Sequence, residues 1–167
     1  MTGLFQSIDL YAHTNPAFVG LISFWATKGY CDKCSKLSHE TEGLLFPFAM
    51  VAAAWVAPAQ ARGMLPANAN KKLTIFISEN HMLRSLGTHA LRAWREPFWE
   101  GARLASAAGL MRFNGLRLLP VPKVSLDKAP TGEQKAMKKA ATLVGTMFAK
   151  QGNERDLATA LGIGVGT

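Results

Sequence analysis

Apolar residues at helical spacing organise the first third of the chain into two predicted helices. Asn15-Pro16 predicts the start of the first helix. The side chain of Asn can accept an unpaired backbone N–H of the first turn, and Pro has no backbone N–H that would stay unpaired there. Helical spacing then links Phe18, Leu21, Ile22 and Trp25. We expect a polar loop over residues 31–42. A second helix follows over residues 44–56, apolar all round and therefore central in the core.

The middle of the chain predicts a series of shorter helices. It is interrupted at Pro58, Gly63 and Pro66. Residues 70–77 favour a helix, although their β-branched run would also suit a strand. The next helical turns are expected to end at Gly87, after which Thr88 caps a new segment. Pro97 then opens a helix that Gly109 closes.

Asn114-Gly115 lies between two short runs of alternating apolar and basic residues. Asn-Gly tolerates the two positive φ values of a type I′ turn, so this pair predicts a tight hairpin. In that register Arg112 and Arg117 would lie directly opposite each other. A helix followed at once by a small basic hairpin is the layout of a winged-helix module. Such a module binds DNA in some proteins and docks against a protein in others, and the sequence pattern alone does not distinguish these two functions.

The C-terminal part predicts a linker and two further helices. Residues 120–132 contain three prolines and no periodicity, which indicates an extended linker. A basic amphipathic helix over residues 133–151 follows, and Asn153 can cap a last helix. The expected fold is mainly α: a helical core with a wing-like hairpin over residues 1–119, the linker, and a C-terminal helical segment over residues 133–167.

Composition suggests a protein that works in contact with other macromolecules. Apolar residues make up 49% of the chain and charged residues 18%, which is more apolar than a typical soluble monomer. Of the net charge of +8, +7 lies from residue 81 onward, where 13 Lys and Arg accompany 6 acids. This distribution favours an acidic partner, either nucleic acid or an acidic protein surface, although a solvated basic surface would give the same count.

The chain shows no sequence signal for secretion or membrane insertion. Its first ten residues lack a basic segment and contain Asp9 before any apolar run, so we expect a cytoplasmic protein with reduced cysteines. Residues 43–61 are uncharged and long enough to raise the question of a membrane span. Because they include Pro47, Pro58 and Gln60, a buried helix is the preferred interpretation and no membrane partner is expected.

The sequence predicts neither a metal site nor a catalytic one. Cys31, Cys34 and His39 suggest zinc, but a structural site needs four ligands and no second cysteine pair exists. Glu96 and Glu100 share a helix face among several arginines, which indicates ion pairing rather than acid–base chemistry. The glycine-rich end of the chain precedes no helix and so lacks the context of a phosphate-binding loop. We therefore expect a protein that is not an enzyme and binds no cofactor.

Two groups of side chains are candidate contact sites. The basic group, for nucleic acid or an acidic partner, is Arg103, Arg112, Arg117 and Lys123. The apolar group, for a hydrophobic partner interface, is Trp94, Phe98, Trp99, Met147 and Phe148. The basic residues are phosphate-contact candidates if a helix end and both hairpin arms place them on one side. Arginines extended over a solvated hairpin are the plainer alternative.

Several pieces of the chain, taken in order, resemble one protein family. They are Asn15-Pro16-Ala17-Phe18, Leu44-Leu45-Phe46-Pro47, residues 73–80, Gly109-Leu110 with Asn114-Gly115, residues 143–149, Gly152, and Leu161-Gly162-Ile163. In this order they resemble the middle component of the ABC three-component systems, the small subunit of Lamassu-type bacterial defence. The resemblance covers residues 14–163 and departs from the family pattern in residues 31–42 and 94–97.

The resemblance implies a non-enzymatic subunit that works beside a large SMC-like or Rad50-like ATPase and an effector, often a nuclease. In such systems the ATPase senses foreign DNA, and the middle component would hold the effector to it and keep the effector inactive. DNA contact would then occur through the complex. The competing hypothesis is a free-standing winged-helix DNA-binding regulator that uses Arg112, Arg117 and Lys123 on phosphates. The third hypothesis is a zinc-dependent domain.

Overall fold

A computed structural model describes residues 15–124 and 132–164 of the chain. In these residues the fold is mainly helical with one small sheet, as the sequence predicts. The helices are α1 (Pro16–Lys36), α2 (Phe46–Val56), α3 (Ala59–Gly63), α4 (Leu73–Glu79), α5 (His81–Ala93), α6 (Arg95–Ala107), α7 (Gly132–Lys150) and α8 (Glu154–Leu161). The strands are β1 (Leu44–Leu45), β2 (Met111–Asn114) and β3 (Arg117–Pro120).

Helix α1 is the centre of the fold. The side chain of Asn15 caps it by accepting the N–H of Ala17 at 3.0 Å, as predicted. The helix packs most extensively against α7 and next against α6, and it also contacts α2. Helix α7, expected to form a smaller C-terminal piece, thus shares one hydrophobic core with α1. Of the predicted linker, residues 125–131 lie outside the described part of the chain.

Glycines bring α1 into close contact with both of its main neighbours. At the crossing with α7, a Cβ added to Gly29 would lie 2.6 Å from the carbonyl oxygen of Thr142, and one added to Gly145 would overlap the carbonyl of Ala26. At the crossing with α6, a Cβ on Gly101 would lie 2.7 Å from the carbonyl oxygen of Pro16. At each of these contacts a glycine in one helix lets its backbone approach the backbone of the other helix.

Helix α2 is buried on every side, as its uninterrupted apolar sequence predicts. Trp55 is completely buried, and its indole N–H donates to the carbonyl of Leu83 at 2.8 Å. Phe76 and Phe148 meet the same indole edge to face. Among the described residues, no helix combines the length and apolar character needed to cross a membrane.

The three strands form an antiparallel sheet in the order β1-β3-β2. Asn114 pairs with Arg117, so the two-residue loop is Gly115-Leu116 and Arg112 lies opposite Leu119. The predicted register, with Asn114-Gly115 as the loop and Arg112 opposite Arg117, is wrong: the loop lies one residue later in the chain, so the partner of Arg112 shifts by two residues. Only Gly115 has a positive φ in this loop, at +60°, which fits a glycine-first type II′ turn rather than type I′.

Three helix boundaries also differ from the predictions. Helix α1 continues through both cysteines to Lys36, because Cys34 is buried in the core rather than placed in a loop. The helix predicted to begin at Leu44 begins at Phe46, since the two preceding residues pair with β3. Helix α5 runs through Gly87, and the hydroxyl of Thr88 donates to the carbonyl of Arg84 instead of capping a new helix.

Other local predictions are confirmed. Residues Leu73–Glu79 form a helix and not a strand. The side chain of Asn153 caps α8 by accepting the N–H of Asp156 at 2.8 Å. Gly109 and Gly152 follow the ends of α6 and α7 with φ values of +77° and +100°, a conformation that glycine adopts at little cost.

Candidate partner-docking surface

The hairpin, α6 and the start of α2 meet in a cluster of apolar side chains. The ring of Trp99 lies 5.2 Å from that of Phe46 and 5.4 Å from that of Phe113, measured between centroids. The backbone N–H of Phe46 donates to the carbonyl of Leu116 at 2.8 Å, which ties α2 to the hairpin loop. We call these four residues, Phe46, Trp99, Phe113 and Leu116, the hairpin platform.

The hairpin platform is buried on its inner side and open on its outer side. Phe46 is 6% exposed, whereas Trp99 is 37% exposed and Leu116 is 61% exposed. The pleat explains the inner side, because Met111, Phe113 and Leu118 share the hairpin face that covers the core. Two large apolar side chains thus remain uncovered beside a rigid base, the usual composition of a protein-contact anchor.

The exposed side of α6 carries charges of both signs. Glu96, Glu100 and Arg103 are all exposed on this helix, and Trp99 lies among them. The exposed face of α6 therefore carries carboxylates beside Trp99 and is not uniformly positive.

Arg117 is held inside the fold. Its guanidinium makes a two-pronged ion pair with Glu154 at the start of α8, with Nη2 and Oε2 2.9 Å apart. It also lies 4.0 Å from Glu42. The hydrogen bond to Glu154 is the main cause that raises the pKa of Arg117 above its ordinary value. The sequence analysis placed Arg117 at a contact with phosphate or an acidic partner, whereas in this fold its carboxylate partners belong to the same chain.

The other three basic candidates are exposed. Arg103 lies on α6, Arg112 on β2, and Lys123 beyond β3 with a positive φ of +64°. None of the three forms an ion pair with another residue of the described part of the chain. They occupy three separate elements, and the shifted register removes the expected opposition of Arg112 and Arg117.

The apolar candidates divide into surface and core. Trp99 is exposed, and Trp94 is partly buried with its ring 5.4 Å from that of His89. Phe98, Met147 and Phe148 are at most 2% exposed, so their prediction as a partner interface is wrong. Phe148 packs on Trp55 in the centre of the molecule. These residues lie on the helix faces turned toward α1 and α2, which periodicity alone could not distinguish from an outward apolar face.

The cysteines lie on α1 as neutral thiols. Burial is the main cause that raises the pKa of Cys31 to about 12, and the neighbouring Cys34 contributes to the same shift; burial also raises the pKa of Cys34. Metal ligation requires the thiolate, which this environment disfavours. Among the residues that the structure describes, no group of three or more His, Cys, Asp and Glu side chains is arranged to hold a metal ion.

The sequence analysis missed three of the four residues of the hairpin platform, Phe46, Phe113 and Leu116, and the ion pair between Arg117 and Glu154. Phe46 was assigned to the interior of a helix, Leu116 to a strand, and Glu154 had no assigned role. The alternation of Met111, Arg112 and Phe113 does predict that Phe113 turns inward. No local pattern predicts the distant pairing of Arg117 with Glu154, which lies 37 positions later.

One strand follows the first helix, the hairpin follows a later helix, and the last strand lies between the other two. In comparisons with known proteins, no family model, no curated protein and no solved structure matches this chain.

Proposed function

We propose that this chain is a non-catalytic adaptor subunit of a bacterial defence complex of the Lamassu type. It links an SMC-like ATPase, which senses DNA, to an effector nuclease and helps to hold the effector inactive. The cytoplasm is the compartment in which such a complex would act. The resemblance in sequence supplies the family, and the hairpin platform supplies the means of contact.

The observation that carries the proposal is the exposed outer side of the hairpin platform. Trp99 and Leu116 are uncovered on a base fixed by ring contacts and by a backbone hydrogen bond. A pre-ordered base lowers the entropy cost of binding, because the anchors need little rearrangement. The mixed charges of Glu96, Glu100 and Arg103 around them form a polar rim of the kind found at protein interfaces.

The test is co-expression with the ATPase and the effector encoded beside this chain. We expect the three proteins to purify together, and Trp99→Ala combined with Leu116→Asp to lower the recovery of this subunit in the complex at least tenfold. The matched control is Ile75→Asp, a large apolar residue 47% exposed on α4, outside the hairpin platform. The control should leave recovery unchanged.

Two results would count against the adaptor role. One is a wild-type chain that fails to associate with either neighbouring protein at micromolar concentration. The other is an equal loss of recovery for the platform variant and the Ile75→Asp control, which would indicate general misfolding instead of a specific contact. Circular dichroism of each purified variant shows whether it is folded, which separates general misfolding from the loss of a specific contact.

The strand order favours a second candidate, a free-standing winged-helix regulator that binds DNA through the hairpin. In that role Arg112 and Lys123 would contact phosphates, and duplex affinity would fall steeply with salt. Replacement of both residues by glutamine should then abolish binding by the isolated chain. If that variant binds duplex DNA as the wild type does, the regulator hypothesis is rejected and the adaptor is unaffected.

A further inference from the structure

A stripe of lysine and threonine side chains runs along one side of α7, beside its contact with α1. Positions 135, 139, 142, 146 and 150 are separated by three or four residues and therefore share one side of the helix. They are Lys135, Lys139, Thr142, Thr146 and Lys150. All three lysines are exposed. From the first to the last the stripe is about 22 Å long, at 1.5 Å per residue.

A cavity extends this stripe at its C-terminal end. Lys71, Lys72 and Lys150 line a cavity of about 550 Å³ between α4 and the last turn of α7, and its other lining residues carry no charge. Lys71 is paired with Glu79, and Lys150 donates to the carbonyl of Ala69 at 2.6 Å. Because a carbonyl group has no net charge, this hydrogen bond does not neutralise the positive charge of Lys150.

Carboxylates are scarce around this surface. Within α7 the one acidic residue is Glu133, and it lies near Arg62, with 3.8 Å between the charged atoms. Among the described residues, Lys72, Lys135, Lys139 and Lys150 have no carboxylate partner. We call these four residues the lysine track. The lysine track places positive charge on α7 and on the residue before α4.

We propose that the lysine track binds the phosphate backbone of double-stranded nucleic acid without reading its sequence. Lysine ammonium groups are typical phosphate contacts, whereas the hydroxyl of Thr146 already donates to the carbonyl of Thr142. The stripe length of about 22 Å corresponds to about six base-pair steps of 3.4 Å measured along the duplex axis. The inference does not rest on the adaptor role, since it concerns a different surface and the isolated chain.

The composition of the stripe favours a duplex over the other polyanions. It exposes no aromatic ring, and single-stranded ligands depend on stacking for much of their affinity. The apolar face of α7, with Met137, Val144 and Phe148, is buried in the core and so cannot insert into a membrane. An acidic protein partner would require an apolar centre, which a row of lysines and threonines lacks.

The experiment titrates a fluorescently labelled 20-base-pair DNA duplex with the isolated chain at several salt concentrations. We expect the simultaneous replacement of Lys135, Lys139 and Lys150 by glutamine to weaken duplex binding at least tenfold at about 0.1 M salt. The slope of log K against log salt should fall by about 2 to 3, since each lost phosphate contact removes about 0.9. Glutamine keeps helix propensity, so the melting temperature should be unchanged.

The matched control is the triple replacement of Arg103, Arg112 and Lys123 by glutamine. It removes the same formal charge from the surface that the sequence analysis favoured, and we expect less than a threefold effect. Greater loss in this control than in the track variant would overturn the proposal. So would tighter binding of single-stranded DNA, phosphatidylserine vesicles or a polyglutamate peptide than of the duplex, as would no binding at all.

Discussion

At the residue scale, two aromatic side chains that the sequence pattern assigns to the same interface have different environments. Phe148 is completely buried and packs on Trp55, whereas Trp99 is 37% exposed above Phe46. Both follow apolar residues on amphipathic helices, so their helical spacing looks alike. Whether a neighbouring element covers the helix face decides which residue stabilises the fold and which is available to a partner.

Replacement of Phe148 by alanine should therefore destabilise the protein without a specific effect on partner binding. Loss of a fully buried ring leaves a cavity, and the expected decrease in the free energy of unfolding is about 3 to 5 kcal/mol. Trp99→Ala should decrease it by about 1 kcal/mol or less. Urea denaturation of both variants measures the difference. Equal stability of the two variants would contradict the assignment of Phe148 to the core.

The ion pair between Arg117 and Glu154 permits a second prediction at this scale. It joins β3 to α8 through a charge-assisted contact that is only partly exposed. A double-mutant cycle with Arg117→Gln and Glu154→Gln should give a coupling energy of about 1 kcal/mol or more. The same cycle on Lys71 and Glu79, a more exposed pair, should give about 0.5 kcal/mol or less. A coupling near zero for the first pair would refute the tie between β3 and α8.

At the element scale, helix spacing around α1 depends on glycine. Most helices in bundles are separated by interdigitated side chains. At Gly29 and Gly145 in the crossing with α7, and at Gly101 in the crossing with α6, the helix backbones instead touch directly. This close approach allows α1 to pack against α6 and α7 together, and it makes both crossings intolerant of even a methyl group.

Gly145→Ala should separate α1 and α7 and lower stability. The added methyl would overlap the carbonyl of Ala26, a backbone atom that cannot turn aside, and overpacking of this kind costs about 1 to 3 kcal/mol or more. The control is Gly63→Ala in α3, where no atom lies within 4 Å of the new Cβ. Because alanine is the better helix former, the control should keep or slightly raise stability. Thermal unfolding of the two variants gives the comparison.

At the scale of the whole molecule, the C-terminal segment completes the core of the N-terminal part. Val144 and Phe148 of α7 are completely buried in the cluster that contains Trp55 and Ile22. A chain that ends before α7 would expose this apolar surface of α1 and α2. The predicted linker is therefore a boundary in the sequence and not a boundary between independent cores.

Stability should decrease in alkaline solution because two side chains of α1 have raised pKa values in the folded protein. Burial raises the pKa of Tyr30 and of Cys31 to about 12, from ordinary values of 10.0 and 9.0. Folding thus favours their neutral forms, and the stabilisation is complete below about pH 9 and is lost as the pH rises toward 12. Urea midpoints at pH 7 and pH 11 should show the decrease. Tyr30→Phe should reduce it, and an unchanged difference would exclude Tyr30 as a cause.

Much of the local structure could be predicted because it depends on near neighbours along the chain. Asn15 and Asn153 cap helices within three residues of themselves, and Gly109 and Gly152 terminate helices through their own backbone angles. The hairpin could be located for the same reason. Its register could not, because the pairing with Leu44 and Leu45 helps to fix which residues form the loop.

The sequence by itself determined a mainly helical protein, the positions of several helix caps, and the burial of α2, since these follow from short-range sterics and from the length of an uninterrupted apolar run. Tertiary structure alone decided which amphipathic faces are covered, that Arg117 binds Glu154, and that four lysines on and beside α7 have no carboxylate partner among the described residues. The physical reason is that burial and charge pairing depend on distances between elements, which spacing along a chain does not specify.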